Sequence, residues 1–484
     1  MLTFAKAMDE NLKYYLENTV VSQAAIESRL THPITKLRYP TRLVYGLLKK
    51  YATDFLNAGS EPRFVSLAGL RGVGKTTLLW QTANHIYSNH HKDIYFFNVN
   101  TLKNLGIDLH IALEEFQRHI IKKRFNELSE PITLLFDEVH DDDNWSKTLK
   151  ILYDEARTAL ILCTGSSALL LNSTADLSRR MYIQKVFPFS FSELLQAKKE
   201  MSRAETILPE NALASDLKEA LFFSENAVSV FDALNNLKSK INSVVQQNDL
   251  ITRLQTQYIN FLNFPNLLFF DDEIIITSSI LDLFKRIIHE DIPKLNPTFS
   301  DFTKIERLVL RLAGSDEINL EKLAGIIGVK QNDINALMDI LAKAELLNVL
   351  LPYGGLDSKI AKNKKAFFMS PSLRRALLST LYGQNLPDQF NSKLIEDVVV
   401  MYLRRVLTDG VISFLSGNDV NPDLIIETRD KPILLEIGTS KTTLKQLKQS
   451  NVNYRYGLLV SNGITEPQLN DNCIQIPLSW FLLL

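Results

Sequence analysis

The residues best able to do chemistry form one short run: Gly69, Arg71, Gly72, Val73, Gly74, Lys75, Thr76 and Thr77 fit the spacing G-x-x-x-x-G-K-[ST]. That spacing suits phosphate binding, because the glycines let backbone N–H groups turn inward around an anion and the following helix adds positive potential at its N-terminus. Lys75 is then placed to reach β and γ phosphates, and the Thr76 hydroxyl to ligate Mg²⁺. These residues together predict an ATP and Mg²⁺ site. A second constellation follows at Ile132-Thr-Leu-Leu-Phe-Asp137-Glu138, an apolar strand ending in two carboxylates. Asp137 would hold Mg²⁺ through water, and Glu138 would orient and polarise the water that attacks the γ phosphate. A third is the strand end Thr164-Gly-Ser166-Ser167, where Ser166 or Ser167 is the expected phosphate sensor and a plain turn is the alternative. Arg179 and Arg180 could stabilise transition-state charge, often across a subunit boundary, or could simply be a salt-bridged helix end.

These groups need a sheet to hold them. Arg63–Ala68 reads as a short buried strand before the phosphate loop, Asp93–Val99 as another, and Leu109–Leu128 as a helix, so the fold class is α/β with a parallel P-loop core. The chain has 484 residues, 45% hydrophobic and 23% charged, which predicts several domains. A net charge of −1 does not by itself require nucleic acid or a membrane surface. Two cysteines without paired spacing point to a reducing, cytoplasmic setting. No apolar run approaches the roughly 20 residues that span a bilayer, and no membrane association is expected.

The combined blocks G-x-R-G-V-G-K-T-T, L-L-F-D-E-V-H with Trp145, C-T-G-S-S, the double arginine and P-F-S-F-S-E-L-L resemble the prokaryotic AAA+-related ATPases often called the archaeal-type ATPase family. The resemblance implies an ATPase core, a helical lid, a winged helix and a C-terminal restriction-endonuclease-like domain. On this sequence those parts fall at residues 61–195, 196–300, 301–372 and 388–484, after a helical lead-in at 1–60. It also implies oligomers, with DNA and a partner protein as candidate ligands. Residues Ala204–Thr256 look like an insertion, with packing inside the lid the preferred reading. In the winged-helix region the third helix, Gln331–Ala344, is too acidic to approach phosphates well, which leaves Lys359, Lys362, Lys364 and Lys365 of the wing as the basic candidates.

The last region looks like the PD-(D/E)xK nuclease fold. Asp423 and Glu436 would be its metal-binding carboxylates, with Glu396 as support. Its lysine should stand two residues after Glu436, but that position is Gly438, and Lys441 could substitute only if the strand ends and the chain turns back. The reading that follows is an ATP-driven switch with an inactive nuclease-like domain. The alternative is an ATP-regulated DNA nuclease, for which the family resemblance implies a role in defence against foreign DNA. A DNA-translocating motor is disfavoured, because no helix presents a basic face.

Overall fold

Runs of β-branched and aromatic residues separated by amphipathic helices build the first of two units, Met1–Val186; the second is Phe187–Leu484. The computed structural model describes residues 2–165, 175–201, 206–246, 249–295, 301–315, 317, 318, 320–355, 364–417 and 421–484.

In the first unit, α1 (Leu2–Glu17), α2 (Gln23–Leu30) and α3 (Val44–Ala58) precede β1 (Phe64–Ala68). Then come α4 (Lys75–Asn89), β2 (Ile94–Asn98), α5 (Val99–Asn104), α6 (Leu109–Phe116), β3 (Ile132–Asp137), α7 (Trp145–Glu155), β4 (Ala159–Gly165), α8 (Ala175–Ser178) and β5 (Tyr182–Lys185). The five strands form one parallel sheet in the order β2-β3-β4-β1-β5. Every residue of β1, β3 and β4 is buried, as a parallel sheet covered on both faces requires.

One expectation changes here. The helix predicted over Leu109–Leu128 stops as an α-helix at Phe116, continues as a π-helical turn over Gln117–Ile121, and ends where Lys122 takes φ 53°. Phe116 and Phe125 still enter the core with Phe97 and Phe136. The carboxylate strand β3 and the phosphate-loop strand β1 are separated by β4, which pairs with both.

The second unit is built on a nine-stranded mixed sheet, β13-β14-β12-β11-β10-β9-β7-β8-β6. Its helices in chain order are α9 (Phe191–Glu200), α10 (Leu213–Phe222), α11 (Ala227–Val245), α12 (Asp249–Asn260), α13 (Glu273–Arg286), α14 (Phe302–Ala313), α15 (Leu320–Ile327), α16 (Gln331–Lys343), α17 (Pro371–Tyr382) and α18 (Asn391–Val406). Its strands are β6 (Glu317–Ile318), β7 (Leu347–Pro352), β8 (Lys364–Phe368), β9 (Val411–Phe414), β10 (Leu424–Glu427), β11 (Ile433–Gly438), β12 (Gly457–Ser461), β13 (Gln468–Asn470) and β14 (Cys473–Pro477). The short helices Ile292–Leu295, α19 (Lys445–Lys448) and α20 (Leu478–Phe481) also belong to it.

The hairpin read as the wing, β7 and β8, is continuous with the last sheet, because β7 pairs in parallel with β9 through Leu351↔Ser413 and Pro352↔Phe414. The helices expected to pack inside a lid also lie elsewhere. On α10 the carbonyls of Leu221 and Phe222 accept hydrogen bonds from the Tyr456 hydroxyl and from Arg455 and Thr428, and on α11 Lys238 pairs with Glu466. Tyrosine and arginine donors beside β12 supply what those helix-end carbonyls lack, so the helix pair covers this sheet.

A buried ion pair joins the two halves of the second unit. On α17, Arg374 donates to both Asp397 oxygens at 2.6 and 2.8 Å and to the Ala313 carbonyl at the end of α14. Asp397, on α18, also accepts the Phe368 N–H of β8. The segment Phe187–Glu193 packs in this unit as well. The Tyr402 hydroxyl of α18 accepts the Phe191 N–H and donates to the Leu482 carbonyl, and Arg405 donates to Glu193 and to the Pro188 carbonyl.

Candidate functional site

The phosphate loop leaves β1 at Gly69 and enters α4 at Lys75. Gly72 and Gly74 hold φ of 81° and 90°, a left-handed conformation that side chains resist. Gly69 has a different constraint: a Cβ there would lie 2.3 Å from the Val186 carbonyl oxygen, so close packing against the segment after β5 demands glycine. The buried Lys75 ammonium donates to the Gly69 and Leu70 carbonyls at 2.8 and 3.1 Å, spanning the mouth of the loop. Arg42 donates to the Val73 carbonyl, and Gln81 to that of Pro40, which ties the segment before α3 to the back of the loop.

Asp137, at the end of β3, is the hub. It accepts the Thr76 hydroxyl at 3.0 and 3.1 Å and the Thr164 hydroxyl at 2.6 Å. Thr164 also accepts the Glu138 N–H at 2.9 Å. Because β4 runs between β1 and β3, its Thr164 lies beside Leu67 of β1 and turns its hydroxyl to Asp137 and Glu138. Burial first, then the charge of Glu138, pushes Asp137 up to about 6, against the hydrogen bonds from Thr164 and Thr76 and the charge of Lys75. A hydroxyl and a carboxylate of this kind, side by side at a loop of inward-turned amides, fit the donor set of Mg²⁺ bound with a nucleotide.

Glu138 takes φ 55°, uncommon for a residue with a side chain and frequent where function constrains the backbone. Its carboxylate is partly exposed and lies 3.4 Å from His140 Nδ1. Of the paired arginines, Arg180 holds Asp154 through two nitrogens at 2.8 and 3.3 Å, whereas Arg179 is exposed. Ser166 and Ser167 lie outside the described residues. Thr164 was the signal to weigh more heavily: it is the polar residue inside an apolar strand, next to Cys163, whose register partner is Phe136.

A second cluster lies on the nine-stranded sheet. Asp423, just before β10, accepts the Ile437 N–H at 2.8 Å and donates its own N–H to Glu436 at 3.3 Å, so adjacent strands bring the two carboxylates together. Burial and then the Asp423 charge push Glu436 and Glu396 each up to about 7. The strand ends at Gly438 and the chain turns back, which lets Lys441 hydrogen-bond both Glu436 and Gln446. A Cβ on residue 438 would meet the Lys441 Cβ at 2.4 Å, so the glycine makes room for the lysine.

Of the wing lysines, Lys364 pairs with Asp339 of α16 and Lys365 lies 4.0 Å from Asp423, while Lys359 and Lys362 lie outside the described residues. Among the described residues no three His, Cys, Asp or Glu side chains converge tightly enough to hold a metal unaided. A divalent ion at Asp423 and Glu436 would therefore complete its shell with water and phosphate oxygens, as Mg²⁺ commonly does.

The parallel sheet, with its phosphate loop, carboxylate hub and intervening strand, has the layout of a P-loop nucleotide-binding fold. Residues 61–195 match the AAA domain family, and residues 263–382 match a domain of unknown function (DUF8612). An uncharacterized protein of Methanocaldococcus jannaschii is 27% identical over 481 residues, covering 98% of this chain and 94% of its own length. A second from the same organism is 21% identical over 425 residues, covering 83% of each. The Aeropyrum pernix Orc1 protein solved in complex with DNA is 12% identical, covers 76% of this chain and 98% of its own, and has a TM-score of 0.32, too low to bear on this chain. Among the described residues, no helix is long and apolar enough to cross a membrane.

Proposed function

We propose that the chain binds Mg·ATP at Gly69–Thr77 and hydrolyses it, acting as a nucleotide-driven switch for its second unit. The convergence of the Thr76 and Thr164 hydroxyls on Asp137, with Thr164 also accepting the Glu138 N–H, carries this reading. The loop amides and Lys75 hold the phosphates, and Thr76 and Asp137 hold the metal. Mg²⁺, when bound, would offset phosphate charge. Thr164 fixes the Asp137 carboxylate and the Glu138 backbone at once, so it sets the position from which Glu138 polarises water. The water oxygen adds to the γ phosphorus as the bond to the β-γ bridging oxygen breaks. Arg179, exposed on the surface, is the candidate to act on a neighbouring protomer, while Arg180 serves structure through Asp154. Lys75→Ala should weaken binding of a fluorescent ATP analogue at least tenfold; unchanged affinity would contradict the assignment.

Lys441 favours a second reading for the other unit, a metal-dependent phosphodiesterase. The lysine missing at Gly438 is replaced in space by Lys441, which contacts Glu436. In that reading Asp423 and Glu436 bind the divalent ion, water attacks phosphorus, and the 3′ oxygen departs with a proton. Plasmid cleavage with Mg²⁺ or Mn²⁺, with and without ATP, tests it. Cleavage lost in Glu436→Ala supports it, and intact plasmid under every condition leaves the ATP-driven switch alone.

A further inference from the structure

We propose that Lys365, delivered from β8 of the winged-helix region, is a substrate-binding residue of the Asp423–Glu436 site and grips the phosphodiester of a DNA backbone there. This inference rests on the second reading above. The carboxylate site draws its groups from α18, β10, β11 and the turn after β11, all in the last region of the chain. Lys365 comes from a hairpin before α17, more than 50 residues earlier than Asp423, and reaches the site because β7 pairs with β9 and makes the two sheets one.

The side chain is held in place. The Arg374–Asp397 pair fixes β8 against α18 through the Phe368 N–H, and the Lys365 ammonium lies 5.6 Å over the Phe367 ring. Its charge falls on two carboxylates, Asp423 at 4.0 Å and Glu396. The depths of the groups differ in a way that suggests their roles. Glu436 is nearly sealed at 2% exposure, while Lys365, Asp423 and Lys441 are 15, 21 and 27% exposed. Each of the two carboxylates thus has a lysine beside it, Lys365 at Asp423 and Lys441 at Glu436. A phosphodiester anion laid over a metal at Asp423 and Glu436 would meet an ammonium at each edge, where charge-assisted hydrogen bonds to phosphate are strong.

The test uses full-length protein and a short DNA duplex in Ca²⁺, which supports binding without requiring cleavage, read by fluorescence anisotropy. Wild-type protein should bind in a Ca²⁺-dependent manner, and Glu436→Gln should remove that dependence. Lys365→Met should weaken the Ca²⁺-dependent binding roughly tenfold or more, the loss expected for one charge-assisted contact, and Lys365→Arg should recover most of it. The arginine variant separates a charge role from a packing role, and Lys365→Gln gives a second neutral stem if the methionine variant does not fold. Ca²⁺-dependent binding that is sensitive to Glu436→Gln and indifferent to Lys365→Met and Lys365→Gln would overturn the role of Lys365 and leave the metal site standing. Binding indifferent to both Ca²⁺ and Glu436→Gln would overturn the site itself.

Discussion

Thr164 ties together the two carboxylate-bearing residues of the candidate site, while Ser166 and Ser167, the residues the sequence pointed to, lie outside the described residues. Its hydroxyl donates to Asp137 at 2.6 Å while accepting the Glu138 N–H at 2.9 Å, so removing it frees the Asp137 carboxylate and the Glu138 backbone. A hydrogen bond to a charged group is worth about 1.5–3 kcal/mol, and Thr164→Ala should slow ATP turnover roughly ten- to hundredfold with nucleotide affinity little changed. Steady-state turnover beside equilibrium binding checks this. Gly69→Ala should lower stability by about 1–3 kcal/mol, because its Cβ would press on the Val186 carbonyl; a thermal melt reads it. The loop and the carboxylate pair were legible because phosphate chemistry fixes their spacing along the chain. Lys441 was legible only as a condition, since whether a strand ends at Gly438 depends on a turn that spacing does not specify.

Periodicity marked most strands and helices to within a few residues, yet it could not give their neighbours. The apolar pattern of β4 is the same whether it lies at an edge or between β1 and β3, and pairing, not pattern, decides which residues face Asp137. The same holds for β7 and β8, whose alternation suits a free wing as well as strands joined to β9. Helices α10 and α11 read as lid elements because they follow the phosphate-loop region, whereas the end carbonyls of α10 are satisfied by Arg455 and Tyr456 just before β12, and α11 pairs Lys238 with Glu466. At this scale Arg374 and Asp397 are the decisive pair. Asp397→Ala would leave a buried guanidinium without its partner and β8 without its anchor, at a cost of about 3–5 kcal/mol. Denaturant unfolding of the full chain should show that loss, and a change below about 1 kcal/mol would contradict it.

For the molecule as a whole, the paired arginines bear on assembly. With Arg180 committed to Asp154, Arg179 is the candidate to reach a neighbouring protomer's nucleotide. Arg179→Ala should then reduce turnover about a thousandfold or more without reducing ATP affinity. Mixing it with Glu138→Gln should restore part of the activity, because each variant lacks a different half of a shared site; a mixture no better than its parts would place the arginine outside catalysis.

The most direct measurement is ATP hydrolysis by Glu138→Gln beside wild type, with nucleotide binding followed in the same samples. The substitution keeps the shape of the side chain and removes its ability to polarise water. We expect binding within about twofold of wild type and turnover lowered at least about a hundredfold, the contribution of a positioned general base. Turnover equal to wild type would contradict the assignment of Asp137 and Glu138 as the hydrolytic centre.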